Sequence, residues 1–342
     1  SSNQWVSFDE VDNAQLNIGD AGVAMMDINN DKRIDLFRAS PAIGAGEYQV
    51  QLNLEAGLSG IVKLDSPYDS AGFCLCDESS YLADMNGDGL EDLVKLKSGS
   101  LSYYPAKGLA GFGIPVAYKN APEINGSGDF HLVDLNADGM SDVLFIAPSY
   151  FAIWINKGVD ASGWQGNITD ASYIKTPDSV YNPDRTELGD FNANGSIDIF
   201  WYSPNNGLNS YVYMDLYPAE QPNQLKTITN GIGATTSLYY GALVDEMIRD
   251  REAGNPWDQG VPIAMQVLKR IEVADGISDN LQVTNINYHN AYYQPQEKEF
   301  RGFAASEELV VGDASMPSLT TYSEFHLGKD QEVLKGLPKF IN

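Results

Sequence analysis

The sequence predicts an all-β protein, a propeller-like array of four-stranded blades followed by a second mainly β domain, and three observations lead there. An apolar strand running into Asp-x-Asn-x-Asp/Asn and out into another apolar strand occurs four times, with first aspartates at Asp27, Asp84, Asp134 and Asp190. These are spaced by 57, 50 and 56 residues, too long for one coil of a β-helix and suited to a blade of four strands. Helical periodicity is nearly absent from the first 215 residues.

Each repeat has the same interior plan. The loop is followed by an apolar run such as Val143-Leu-Phe-Ile-Ala or Ile199-Phe-Trp-Tyr, then a Pro/Ser/Gly/Asn turn, then a second strand such as Tyr150 to Ile155 or Tyr211 to Tyr217. Aromatic and β-branched residues bounded by turn formers read as a meander of short antiparallel strands. The stretch Val143 to Ile155 is interrupted by Pro148 and Ser149 and reads as two strands, so no membrane span is expected.

The loops carry the chemistry. A hard divalent cation takes six to eight oxygens, and side chains at positions 1, 3 and 5 of a tight loop, with a backbone carbonyl at position 7, can converge on one point. That pattern proposes calcium held by Asp27, Asn29, Asp31, the carbonyl of Arg33 and Asp35 in the first copy, and by Asp84, Asn86, Asp88, Leu90 and Asp92 in the second. The third set is Asp134, Asn136, Asp138, Met140 and Asp142, and the fourth is Asp190, Asn192, Asn194, Ser196 and Asp198. An EF-hand needs Glu at position 12, where these copies have Arg38, Lys95, Phe145 and Trp201, so the aspartate at position 9 is taken as the closing ligand. Lys32 replaces glycine in the first copy and Asn194 replaces a carboxylate in the fourth, which predicts weaker binding at both.

A boundary falls near Pro222 and Asn223, dividing a repeat region over 1–220 from a second region over 221–342. Leu243 to Glu252 reads as one short helix. Val267 to Val273 and Leu281 to His289 alternate about the turn signal Asp275-Gly276 and read as a β-hairpin. Trp257 is expected to pack against that sheet or to lie at a contact surface.

Composition narrows the function classes. Forty-seven acidic against twenty-one basic residues give a net charge of −26, which repels phosphate backbones and speaks against nucleic acid as a partner. The N-terminal residues lack the basic and apolar regions of a signal peptide. Cys74 and Cys76 are expected as two unpaired thiols, with a half-site for a soft metal as the alternative. No enzyme is expected: Gly231-Ile-Gly233 completes no phosphate loop and reads as a turn, and His131, His289 and His326 are scattered. Glu297-Lys-Glu299 has the spacing of an ADP-ribosyltransferase pair but reads as a solvated strand edge.

The loops and their apolar flanks, over about residues 15 to 215, resemble FG-GAP (VCBS-type) repeats, the calcium-binding propeller blades of integrin α-subunits and many bacterial surface and toxin proteins. Further along, Asn230 to Gly241, Val267 to Val273, Tyr288 to Tyr293 and Glu299 to Phe303 resemble the middle region of the B component of insecticidal toxin complexes and of relatives that join an SpvB-type region to Rhs repeats, and Thr320 to Gly328 and Leu334 to Pro338 resemble the segment that leads into the Rhs shell. The resemblance implies a non-catalytic structural and assembly module of a secreted toxin complex. Its partners would be the other subunits: the propeller would dock onto a pore-forming translocation subunit, and the following strands would contribute to an Rhs-type shell around a toxic polypeptide. The alternative is an adhesin-like propeller that binds host glycan or protein in a calcium-dependent way. The long SpvB-type region and the many Rhs repeats are not seen in this chain, so it is expected to be an internal piece of a longer protein.

Overall fold

The computed structural model describes residues 13–44, 47–54, 57–65, 72–161, 163, 165–176, 186–203, 210–218, 221–277 and 280–342. Strands dominate, with one α-helix among the described residues. Two compact units are present, Ser1–Thr186 with Ser203–Ser210, and Glu187–Tyr202 with Tyr211–Asn342.

The first unit is built from antiparallel meanders. Strands β1 (Val23–Met26), β2 (Asp35–Ala39) and β3 (Glu47–Gln51) are followed by a small hairpin, β4 (Asn53–Leu54) and β5 (Gly57–Leu58), and then by β6 (Val62–Asp65), giving a first sheet ordered β1-β2-β3-β6. The second sheet starts as the same meander with β7 (Ser80–Ala83), β8 (Asp92–Lys97), β9 (Ser100–Tyr104) and β10 (Val116–Lys119). The third contains β11 (Asp129–Val133), β12 (Asp142–Ala147) and β13 (Tyr150–Trp154). The chain then forms β14 (Asn156–Val159) and β15 (Gln165–Ile168), which join the second sheet, β15 running parallel to β10, before β16 (Ser172–Lys175) completes the third. The sheets therefore have four, six and four strands.

Burial explains the sequence of these strands. β2 alternates, turning Phe37 and Ala39 inward, whereas all six residues of β12 are buried, as a central strand covered on both faces requires. Phe37, Tyr48 and Phe112 meet with ring centroids 5.2 to 5.7 Å apart and join Met26, Val50 and Leu93 in one core. Val94, Tyr103, Phe145 and Trp154 belong to a second core between the second and third sheets.

In the second unit β17 (Thr186–Gly189), β18 (Asp198–Ser203) and β19 (Ser210–Asp215) form a three-stranded sheet. Next come β20 (Thr227–Thr229) and β21 (Thr235–Ala242), joined at the Gly231 to Gly233 turn, and helix α1 (Leu243–Glu252). They are followed by β22 (Gln266–Ala274), β23 (Leu281–Gln294), β24 (Glu299–Val310), β25 (Leu319–Phe325) and β26 (Pro338–Ile341). β20 to β26 make one seven-stranded antiparallel sheet in chain order, which curls into half a barrel. The hairpin expected at Asp275-Gly276 is β22–β23, and the expected helix has the bounds of α1.

Helix α1 has Asp245 and Glu246 in its first turn and Arg249 and Arg251 in its last, the arrangement its dipole favours. Its buried face holds Leu243, Glu246 and Asp250. Leu243 packs with Val267 and Ala291 and, around them, Trp257, Tyr288 and Phe303. Trp257 is thus a packing residue, and its Nε1 donates to Asp250 Oδ2 at 2.7 Å.

The expectation of two free thiols is corrected: Cys74 and Cys76 are joined in a disulfide. The segment around them is a turn and not a strand, and it folds back until the two Cα atoms are 5.0 Å apart. On an extended strand the side chains would have stood side by side at a greater separation.

The helix anchor gives a direct test. Replacing Trp257 with Phe keeps most of the ring and removes the donor to a buried carboxylate, which should cost about 1.5 to 3 kcal/mol in urea unfolding.

Candidate functional site

Every Asp/Asn loop connects the first and second strands of its sheet: β1 to β2, β7 to β8, β11 to β12 and β17 to β18. The loop backbone repeats as well. Position 4 takes positive φ in all copies, at Asn30 (56°), Gly87 (77°), Ala137 (57°) and Ala193 (59°). Position 6 does the same at Lys32 (67°), Gly89 (84°), Gly139 (87°) and Gly195 (87°). Glycine suits that conformation at position 6, and Lys32 adopts it at a cost of about 1 kcal/mol.

Side-chain oxygens hold this turn. The position 1 aspartate accepts the N–H groups of positions 5 and 6: Asp27 from Asp31 (3.1 Å) and Lys32 (2.7 Å), Asp84 from Asp88 (3.3 Å) and Gly89 (2.7 Å). Asp134 accepts from Asp138 (3.3 Å) and Gly139 (2.9 Å), and Asp190 from Asn194 (3.1 Å) and Gly195 (2.7 Å). The Oδ1 atoms of Asn29, Asn86, Asn136 and Asn192 each accept the N–H of position 5 at 2.9 to 3.1 Å. Asp31, Asp88, Asp138 and Asn194 then accept from Arg33, Leu90, Met140 and Ser196 at 2.8 to 2.9 Å. Positions 1, 3 and 5 are thereby brought together by the ladder of Asx bonds, leaving hard oxygen donors with further lone pairs, the donor type of a divalent cation such as calcium.

The position 9 aspartates are placed differently. Asp35, Asp92, Asp142 and Asp198 are completely buried at the start of the second strand. Their Oδ2 atoms accept the N–H of position 2, from Ile28 (3.2 Å), Met85 (3.0 Å), Leu135 (2.9 Å) and Phe191 (2.9 Å). In the first three copies Oδ1 accepts an N–H just past the third strand, from Asn53 (2.8 Å), Ala106 (2.7 Å) and Asn156 (2.8 Å). Each carboxylate therefore pins its loop to the end of the meander. Burial pushes the Asp92 and Asp142 carboxyls up to about 7 against the pull of these N–H donors, with the neighbouring loop aspartates adding to the rise. Burial raises Asp35 and Asp198 as well.

Loops of successive sheets in the first unit touch. Ser141 N donates to the carbonyl of Asp84 at 2.7 Å. Asn156, fully buried, donates through Nδ2 to the carbonyls of Met85 (2.9 Å) and Ser141 (3.1 Å) and accepts the Tyr118 hydroxyl at 3.0 Å. Burial raises the Glu91 carboxyl, and the charges of Asp27 and Asp84 push it the same way. Asn156 was invisible in the sequence, because the other copies use only a backbone N–H at that point.

Two other clusters come from distant residues. Arg301, whose side chain is 2 % exposed, pairs with Glu297, Glu299 and Glu332, and Lys335 bridges Glu299 and Glu332. Glu297 and Glu299 thus lie at the solvated start of β24 and take part in an ion-pair network there, in which the two cations balance much of the acidic charge. His289, scattered in sequence, places Nδ1 2.9 Å from Asp250 Oδ2 beside α1.

Known proteins share part of this sequence and this fold. Residues 165–325 match the family described as insecticide toxin TcdB middle/N-terminal region. No curated protein matches the chain. Among solved structures, the Photorhabdus luminescens Tc holotoxin pore is similar at a TM-score of 0.76 and 19% identity over 91% of this chain. A TcdB2-TccC3 structure without its hypervariable C-terminal region is similar at 0.63 and 19% over 84%, and a TcdB2-TccC3-Cdc42 structure at 0.65 and 20% over 91%. The chain spans 14% to 15% of the length of those matched chains.

The pin can be tested by substitution in the presence of chelator. Asp142→Ala strands the buried N–H groups of Leu135 and Asn156 and should destabilise the chain by roughly 2 to 5 kcal/mol, while Asp77→Ala, which removes only an exposed pair with Lys95, should change it by less than about 1 kcal/mol.

Proposed function

We propose that the chain is a non-catalytic structural and assembly module of a secreted bacterial toxin complex. The family match over residues 165–325 carries this reading, and the fold shared with Tc toxin structures over nine-tenths of the chain supports it. In this reading the meanders are propeller blades that dock onto a pore-forming subunit. The curled seven-stranded sheet contributes to a shell enclosing a toxic polypeptide.

The sheet supports a role inside a larger assembly. Ile277 on its turn and Leu281, Leu319, Phe340 and Ile341 on its strands are more than half exposed, more apolar surface than an isolated sheet gains from presenting. The module acts through surfaces and placement, with other toxin-complex subunits as partners and the extracellular space as its setting.

Calcium is the proposed cofactor of the Asp/Asn loops. The repeated oxygen ladder supports it, and so does the charge: seven carboxylates at positions 1 and 5 belong to a chain of net charge −26. The fit is to a hard cation, since the donors are carboxylate, amide and carbonyl oxygens. Bound calcium would supply the positive charge that lets neighbouring loops approach.

Two measurements check these readings. A pull-down with a cognate pore-forming subunit should retain the protein, while a glycan array should not; retention by glycans alone would reverse the assignment. Calcium added to chelated protein should raise Tm, corresponding to about 2.7 kcal/mol at a hundredfold excess over Kd, and an unchanged Tm would remove calcium from the account.

A further inference from the structure

An asparagine followed by glycine is the dipeptide most open to attack by the backbone on its own side chain, because glycine has no Cβ to hold its nitrogen away from the neighbouring amide carbon. The pair occurs at Asn86, Asn125, Asn194, Asn206 and Asn230, of which Asn206 lies outside the described residues. The described copies differ in what holds them.

In the second and fourth Asp/Asn loops both reacting groups are engaged. Gly87 N donates to Asp84 Oδ1 and Gly195 N to Asp190 Oδ2, each at 2.7 Å. Asn86 Oδ1 accepts Asp88 N at 2.9 Å. Asn194 is held from both ends of its amide, Oδ1 accepting Ser196 N at 2.8 Å and Nδ2 donating to Asp215 Oδ2 at 2.9 Å. At the turn between β20 and β21, Asn230 Oδ1 accepts the N–H groups of Ile232 (3.0 Å) and Ala234 (2.9 Å).

Asn125 is different. It and Gly126 are exposed in the connection from β10 to β11, and among the described residues neither the Asn125 amide nor the Gly126 N–H has a hydrogen-bond partner. The flanks of the pair are fixed. Ile124 N donates to Ser98 Oγ at 2.8 Å, and Ser98 Oγ donates to the Ile124 carbonyl at 2.9 Å. A Cβ added at Gly128 would lie 2.3 Å from the Ile146 carbonyl oxygen and 2.6 Å from the Phe145 ring, so the backbone there is pressed against β12. The two reacting groups are neighbours in the chain, so their reaction is intramolecular and is limited by whatever else holds them.

We propose that Asn125-Gly126 is a site of spontaneous deamidation and isomerisation by water, which the fold selects from several copies of the same dipeptide. The Gly126 nitrogen gives its proton to solvent base and attacks Asn125 Cγ. The N–Cγ bond forms, the Cγ–Nδ2 bond breaks, and Nδ2 takes a proton from solvent and leaves as ammonia. Water then opens the cyclic imide at either carbonyl, leaving aspartate or isoaspartate, and no electrons are exchanged. Either product adds a carboxylate to the link between the second and third sheets, and isoaspartate also adds a methylene to its main chain. At Asn86 and Asn194 a hydrogen bond to a carboxylate must break first, which slows them by about tenfold to a hundredfold.

Peptide mapping by mass spectrometry of the folded chain, held at mildly alkaline pH, tests this. The peptide carrying Asn125 should convert at least about tenfold faster than those carrying Asn86 and Asn194, should yield both aspartate and isoaspartate, and should convert faster as pH rises. In urea, where the hydrogen bonds of the fold are gone, the three rates should converge. Conversion of Asn125 no faster than that of Asn86 and Asn194 in the folded chain would overturn the proposal. A difference that survives in urea would overturn it as well, since the selection would then lie in the sequence and not in the fold. Aspartate as the sole product would exclude the imide route.

Discussion

The structure depends on a buried aspartate that accepts two backbone N–H groups from different parts of one meander. A carboxylate is costly to bury, and Asp35, Asp92 and Asp142 offset that cost with a bond from position 2 of the loop and a bond from just past the third strand. The loop is thereby closed at its base and fastened to the far end of the sheet. With the base fixed, positions 1, 3 and 5 can fold their oxygens inward onto the loop's own N–H groups. The hydrophobic cores on either side of the second sheet then form around a frame whose polar ends are already satisfied.

The sequence made much of this legible because aspartate, asparagine and glycine were repeated in phase with apolar strands. Four loops at the same place in the strand order, the paired runs of β12 and β13, and the bounds of α1 could all be read from periodicity and turn chemistry. What could not be read was partnership. Nothing in the run Gln165 to Ile168 says that it pairs in parallel with β10 instead of extending the third sheet. Alternation reports that a strand has an inner face and is silent on which neighbour it joins. Nor could the sequence separate a position 9 aspartate that faces an ion from one whose oxygens are spent on backbone N–H groups.

The same limit applies to charges that meet from afar. Arg301 is buried among three glutamates, one of them on the far side of β25, and Asp250 gathers Arg249, Trp257 and His289 under the helix. Each of those side chains looked ordinary in its local window. Asp215 is the clearest case, since its place beside Asn192 and Asn194 follows from the β18–β19 hairpin and not from the motif. The disulfide between Cys74 and Cys76 follows likewise from a turn that strand geometry did not foresee.

The polar machinery of this scaffold is directed at its own backbone. The central claim is that the buried aspartates make the loops as rigid as the strands they join. Amide hydrogen exchange at Met85, Ala106, Leu135 and Asn156 measures this directly. The account predicts that these four N–H groups are protected to the level of the central strands β8 and β12. Exchange at the rate of exposed loop amides would contradict it.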